Sequence, residues 1–333
     1  MTKKILILAT GGTIASRYDP RHDDVRAVGQ ASDLAAWLGT QAPSLMVQAR
    51  DIMTVNSYQM GLPDVYRMVQ EIRRAVQEND VAGVVVTHGT DTLEESAFMA
   101  DLLVGSDKPV VFTGAQRSAD DPHSDGPSNL LDAVRVAGSP AARGHGVLVA
   151  FGQEIHSARW VSKVHTSALR AFGSPGAGPL GSIDGDHVQM VFRPRAQPIL
   201  DCPAIEPRID LIRLCVGADA RFIDCAVEGG AQGIVLEALG RGNATAAVLE
   251  GIGRAIAREI PVVVTSRCPE GLVAPIYGGS GGMGLARAGA IFGAGFSGAK
   301  ARILLSVLMG RPGWRDSFDA DMASFTGRAP TLH

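Results

Sequence analysis

Short, nearly continuous apolar runs rich in β-branched residues recur along the first half of this chain and end in turns of glycine and threonine. Ile5–Ala9, Val84–Thr87, Val110–Thr113 and Val147–Phe151 are four of them. A strand with one face in water alternates apolar and polar residues, so runs without alternation are expected to be buried on both faces. Between them lie amphipathic stretches of helical length, such as Leu62–Val76 and Leu93–Leu103. Strand–helix alternation of this kind predicts an α/β fold with a mainly parallel sheet. At 333 residues the chain exceeds what one hydrophobic core usually serves. The stretch Phe192–Pro207 holds Pro194, Pro198, Pro203 and Pro207 and few periodic apolar residues, and it reads as a linker. A second α/β unit follows, with strands at Ile209–Val216, Gly233–Ala238 and Pro261–Ser266. Its helix Ala244–Arg258 places Val248, Ile252 and Ile256 at four-residue steps, and the last helix is Ala299–Leu308. The expected division is therefore a first domain over 1–193, a linker over 194–208 and a smaller domain over 209–333.

The charge balance excludes several partner classes. A net charge of −3 gives no electrostatic case for nucleic acid or an anionic membrane. No apolar run approaches the roughly 20 residues of a membrane span. Lys3 and Lys4 precede Ile5–Ala9, but that run is too short for a signal peptide and passes into a glycine turn. Cys202, Cys215, Cys225 and Cys268 form no C-x-x-C pair. They read as buried reduced thiols in a cytoplasmic protein. His88 has no second histidine at a helical or turn spacing, so it reads as a structural histidine, and no metal or cofactor is expected.

Ligands of open parallel sheets bind beyond the carboxyl ends of strands, near a change in strand order. Two strand ends carry the chemistry here. Ile5–Ala9 runs into Thr10-Gly11-Gly12-Thr13-Ile14-Ala15, and Val84 leads into Thr87-His88-Gly89-Thr90-Asp91-Thr92. The glycines allow a sharp turn and close approach of the backbone. Thr13 is then either a helix-capping residue or a nucleophile. Asp91-Thr92-Leu93-Glu94 and the overlapping Thr92–Glu95 both fit capping boxes, so Asp91 reads as a helix N-cap. A carboxylate there also suits a ligand ammonium. Lys163 is a surface lysine by default, or a proton acceptor if it lies near a threonine hydroxyl. The glycines Gly279, Gly281 and Gly284 fit G-x-G-x-x-G, a weak signal alone, and read better as a flexible loop.

T-G-G-T-I-A at 10–15 and V-V-V-T-H-G-T-D-T at 84–92, in this order, resemble the two signatures of bacterial-type L-asparaginases and glutaminase-asparaginases. Gly114–Arg117, Asp125–Pro127, Ser157–Thr166, Gly240–Asn243 and Ser266-Arg267 extend the resemblance along the whole chain. It implies a larger flavodoxin-like N-terminal domain and a smaller C-terminal α/β domain. It also implies hydrolysis of L-asparagine to L-aspartate and ammonia, with L-glutamine as a weaker substrate and no cofactor. Thr13 takes the place of the nucleophile, which forms a β-aspartyl ester that water hydrolyses. Thr90, Asp91 and Lys163 line the other side of the pocket, with Gly12 and Gly89 beside them. Asp91 holds the substrate α-ammonium and Ser57 its α-carboxylate. Asn243 reaches a neighbouring subunit's site, or caps the helix that follows it. The assembly implied is a homotetramer or homodimer with sites at subunit interfaces.

Two positions depart from that pattern. Tyr18 is the one tyrosine in the loop over 16–26, a polar stretch expected to act as a lid, and it lies nearer Thr13 than the tyrosine that usually activates the nucleophile. Between Glu270 and Asp316 the chain has no acidic residue, although relatives supply a glutamate to the neighbouring site from this region. Tyr277 is the candidate replacement. That missing acid leaves a second reading, a non-catalytic protein that binds or senses aspartate or asparagine on the same fold.

Overall fold

The computed structural model describes residues 3–12, 14, 16–19, 24–27 and 31–327. The chain forms two compact units, over residues 1–199 and 200–333. The first unit holds strands β1 (Lys4–Ala9), β2 (Ser16–Asp19), β3 (Asp24–Ala27), β4 (Val47–Asp51), β5 (Val81–Thr87), β6 (Val110–Thr113), β7 (Val147–Phe151), β8 (Glu154–Ser157), β9 (Ser162–Lys163), β10 (Phe172–Gly173), β11 (Gly181–Asp184) and β12 (His187–Met190). Its helices are α1 (Ala31–Gln41), α2 (Leu62–Gln77), α3 (Leu93–Leu103) and α4 (Gly126–Gly138).

The main sheet has the order β12-β11-β8-β7-β6-β5-β1-β4. The five strands from β4 to β7 are parallel, and β8, β11 and β12 continue the sheet antiparallel. The continuous apolar runs are explained by burial on both faces. Ile5, Ile7, Val85, Val111 and Leu148 join Leu38 of α1 and Leu130 and Val134 of α4 in one core. Their neighbours Leu6, Leu8, Val84 and Val86 are equally buried and point the other way, toward α2 and α3.

The chain leaves β1 for β4 on one side and later returns to place β5 on the other. Strand order therefore reverses between β1 and β5, which opens a crevice at their carboxyl ends. Ala9 and Thr87 are register partners, so both signature turns leave the sheet side by side. The segment read as a lid loop contains β2 and β3, paired antiparallel through Ser16 to Ala27 and Asp19 to Asp24.

The stretch 192–207 contains neither helix nor strand. In the second unit, β13 (Ile209–Arg213), β14 (Gly233–Ala238), β15 (Val262–Ser266) and β16 (Ile291–Phe292) form a parallel sheet in that order. The helices are α5 (Arg221–Glu228), α6 (Ala246–Ala257), α7 (Gly282–Arg287), α8 (Gly298–Met309) and α9 (Trp314–Thr326). Ile223, Val248 and Ile252 pack against Ile234, Leu236 and Val264. Helix α8 packs on β13, β14 and β15, and α9 packs on α8.

Four expectations are corrected here. The helix read as the last one is followed by α9, whose apolar stripe is only Phe318, Met322 and Phe325 among many polar residues. The strand expected to reach Val216 stops at Arg213, and Val216 is 93% exposed in the turn beyond. The glycine run is a tight turn rather than a slack loop. Met283 N donates to Tyr277 O, Gly284 N donates to Gly281 O, and a Cβ at Gly284 would fall 2.0 Å from Gly279 O. Those glycines serve close packing. Of the cysteines, Cys202 alone is buried, while Cys215, Cys225 and Cys268 are exposed, and none of the four forms a disulfide.

Candidate active site

The crevice between β1 and β5 is closed by contact between the two signature turns. Gly12 has φ +82°, and a Cβ built on it would lie 2.5 Å from Gly89 N and 2.8 Å from Gly89 Cα. Gly89 in turn abuts Ser57, where a Cβ would meet Oγ at 2.5 Å. Three segments distant in sequence thus meet with no room for a side chain. Thr10 fastens the junction from beneath, with its hydroxyl donating to Thr87 O at 2.8 Å. Thr92 does so from the side, donating through Oγ1 to Ser57 O at 2.9 Å.

Above this floor is an open cleft of about 210 Å³ lined by Gly12, Asn56, Ser57, Tyr58, Gly89, Thr90, Asp91, Gln116, Lys163 and Thr166. Lys163 comes from the β9–β10 hairpin. Its Nζ donates to Thr90 Oγ1 at 2.9 Å and to Asp91 Oδ1 at 2.7 Å. Thr90 and Ser57 are buried, whereas the Asp91 side chain is 55% exposed at the mouth. A cation, a hydroxyl and a carboxylate therefore converge on one wall of a cleft whose floor is main chain. Such a wall can hold a zwitterionic ligand and relay a proton.

The residues singled out in the sequence divide as follows. Gly12, Ser57, Gly89, Thr90, Asp91 and Lys163 come together in this cleft. Thr13 lies outside the described residues; its sequence neighbours are Gly12, which lines the cleft, and the buried Ile14. The backbone of Tyr18 runs in β2, and its side chain lies outside the described part. Asn243 belongs to the second unit, where its Oδ1 accepts from Gly282 N at 3.2 Å. It does not cap α6. That role falls to Thr245, whose hydroxyl accepts from Val248 N.

Nor does Asp91 cap α3. The N-cap is Thr92, without a side-chain capping bond. The capping-box atoms have tertiary partners instead: the Thr92 hydroxyl reaches Ser57, and Glu94 Oε2 accepts from Lys163 N at 2.6 Å. Gln116, Thr166, Asn56 and Tyr58 were not singled out as site residues. Gln116 is brought in by an acidic hub. Asp125, 8% exposed, accepts from Gln116 N and Arg117 N at 3.0 Å and from Asn129 Nδ2 at 2.9 Å. Asn129 Nδ2 also donates to Gly114 O. The motif Asp125-Gly126-Pro127 signalled this hub without revealing what it holds.

His88 lies directly under the cleft. Its Nδ1 donates to Gly89 O at 2.7 Å, which fixes the tautomer because a carbonyl only accepts. Nε2 is buried and has no hydrogen-bond partner among the described residues. Burial lowers its pKa from 6.5 to about 4, against a smaller opposing effect of the Gly89 bond. The unfolded chain binds a proton there below pH 6.5 and the folded chain only below about 4. Stability is thus expected to fall as pH drops through that window, by about 3 kcal/mol from this group. Urea denaturation at pH 7 and pH 4.5 measures it. In His88→Gln, which keeps a donor for Gly89 O, the loss should shrink, and an equal loss in both proteins would exclude His88 as its source.

Among the described residues, no three histidine, cysteine, aspartate or glutamate side chains gather as metal ligands. None of the described helices is long and apolar enough to cross a membrane. Residues 4–196 match the family description "Asparaginase, N-terminal", and residues 208–318 match "Glutaminase/Asparaginase C-terminal domain". The chain belongs to the asparaginase family. Among curated relatives in and around that family, an L-asparaginase of Bacillus licheniformis is 34% identical over 321 residues, covering 96% of this chain and 99% of that protein. A probable L-asparaginase of Deinococcus radiodurans is 37% identical over 318 residues, 92% of each chain. One component of the glutamyl-tRNA(Gln) amidotransferase of Methanosarcina mazei is 36% identical over 303 residues, covering 87% of this chain and 70% of that one.

Proposed function

We propose that this member of the asparaginase family hydrolyses the side-chain amide of L-asparagine, giving L-aspartate and ammonia. The observation that supports it most is the bonding of Lys163 Nζ to both Thr90 and Asp91 on one wall of a cleft floored by Gly12 and Gly89. In this reading Asp91, ionised at the mouth, receives the substrate ammonium, and Ser57 receives the carboxylate. The Thr13 hydroxyl adds to the amide carbon, the C–N bond breaks as the nitrogen takes a proton, and ammonia leaves. Backbone N–H groups at Thr90 or beside it stabilise the tetrahedral oxyanion. Water then adds to the β-aspartyl ester and the Thr13 oxygen leaves with a proton. Thr90 accepts from Lys163 and so has its own hydroxyl proton to donate, which makes the pair a route for proton movement. Tyr18 is the proposed partner of Thr13 on the lid side.

L-Glutamine is the proposed weaker substrate. One methylene separates the two amides, a difference worth about 10- to 200-fold in a pocket of this kind. The proposed assembly is a homotetramer or homodimer whose sites are completed by a neighbour, with Asn243 and Tyr277 as the contributed groups. A cytoplasmic location is supported by four cysteines that form no disulfide.

Ammonia release by the purified protein tests the reading. Turnover of L-asparagine, with L-glutamine slower, is expected. No ammonia from either amide overturns it, and calorimetric binding of L-aspartate without turnover would install the sensing alternative.

A further inference from the structure

Glu94 sits in the first turn of α3, where a carboxylate is favoured by the exposed N–H groups of the helix start. Its side chain nonetheless reaches out of the helix to the main chain of Lys163, 69 residues away, with Oε2 accepting from Lys163 N at 2.6 Å. The strand β9 that carries Lys163 is two residues long and, among the described residues, pairs with β10 alone. Val164 N, on the paired side, donates to Ala171 O at 2.8 Å. Successive N–H groups of a strand point to opposite edges, so Lys163 N faces the edge that carries no strand among the described residues. A main-chain donor so placed needs an acceptor, and an ionised one gives the shorter and stronger bond.

Lys163 is therefore held at both ends by one stretch of chain. Thr90 and Asp91, just before α3, take its ammonium; Glu94, one turn later, takes its amide. With its main chain loose, a lysine has four side-chain torsions plus a sliding anchor over which to lose its position. With the anchor fixed, the ammonium is confined to the cleft wall, where the side chain is only 17% exposed.

We propose that Glu94 is a positioning residue for the amide hydrolysis, acting through Lys163 by fixing the main chain of the β9–β10 hairpin. This rests on the reading above in which Lys163 serves the reaction. Glu94→Ala is expected to lower kcat on L-asparagine about tenfold with a smaller change in KM, the scale of one charge-assisted hydrogen bond. Glu94→Gln, which keeps an acceptor oxygen, should recover most of the loss.

A merely structural glutamate would cost its full amount in any background. A residue that acts through Lys163 has nothing left to lose once the lysine is gone, so Glu94→Ala should have no further effect on kcat in a Lys163→Met protein. Additive losses overturn the proposal. A second measurement does not depend on turnover. Acetylation by an N-hydroxysuccinimide ester, read residue by residue by mass spectrometry, should proceed several-fold faster at Lys163 in Glu94→Ala than in wild type, with Lys108 unchanged. Equal rates at Lys163 overturn the proposal even if the protein turns over asparagine. If the wild type releases no ammonia, the functional reading falls, and the acetylation rates still decide whether Glu94 holds Lys163.

Discussion

Thr13→Ala is expected to reduce ammonia release from L-asparagine on the order of 10⁶-fold, the scale seen when the covalent nucleophile of a hydrolase is removed. The first signature turn contains two threonines, and the structure removes one from contention. Thr10 is fully buried and its hydroxyl donates to Thr87 O, so it is occupied in holding the two turns together. Thr13 follows Gly12, which lines the cleft with Lys163 and Thr90. Thr13→Ser keeps a hydroxyl and should retain measurable activity. Quenching the wild-type reaction should also trap an aspartyl adduct on the peptide that contains Thr13. Equal rates in wild type and Thr13→Ala would remove Thr13 from the chemistry. Loss in Thr90→Ala instead would move the nucleophile to Thr90.

The second large effect is structural. Gly12→Ala should destabilise the protein by about 4 kcal/mol and abolish turnover with it. Two causes add. An alanine at φ +82° occupies the left-handed region, which costs about 1–2 kcal/mol for a residue with a Cβ. The added methyl would also overlap Gly89 N and Cα, which are main-chain atoms pinned by Ser57 and cannot rotate away. Gly253→Ala is the matched control, because its Cβ would meet nothing within 4 Å in the interior of α6. Removing a helix glycine there should stabilise by about 1 kcal/mol. Urea midpoints separate the two, and an unchanged midpoint for Gly12→Ala would contradict the packing of the signature turns.

The contrast between those glycines shows how much of the site was legible beforehand. Gly12 and Gly253 are the same letter, and only the turn context marked the first as special. The second signature pointed to Thr90 and Asp91 and the further matching segment Ser157–Thr166 to Lys163, and the fold then brought Lys163 to the other two. Capping logic failed at α3, because a capping box counts sequence spacing and takes no account of competing partners. The hydroxyl of Thr92 and the carboxylate of Glu94 bond instead to the main chain of Ser57 and Lys163, segments distant in sequence. Gln116 was invisible for a similar reason: its place depends on Asp125 nine residues on, and on Asn129 beyond that. Helix α9 was missed because a stripe of three buried residues in thirteen barely rises above its polar background.

The sequence by itself determined the fold class and the strand ends whose turns line the cleft. Burial on both faces and the φ demands of glycine are local properties, written in runs of adjacent residues. Only the tertiary structure decided which atoms meet. It set Gly12 against Gly89, directed the Lys163 ammonium to Thr90 and Asp91, and drew Glu94 out of its helix to the β9 edge. Those contacts join residues up to about 77 positions apart, and their choice among competing hydrogen-bond partners is a matter of distance in space, which spacing along a chain does not carry.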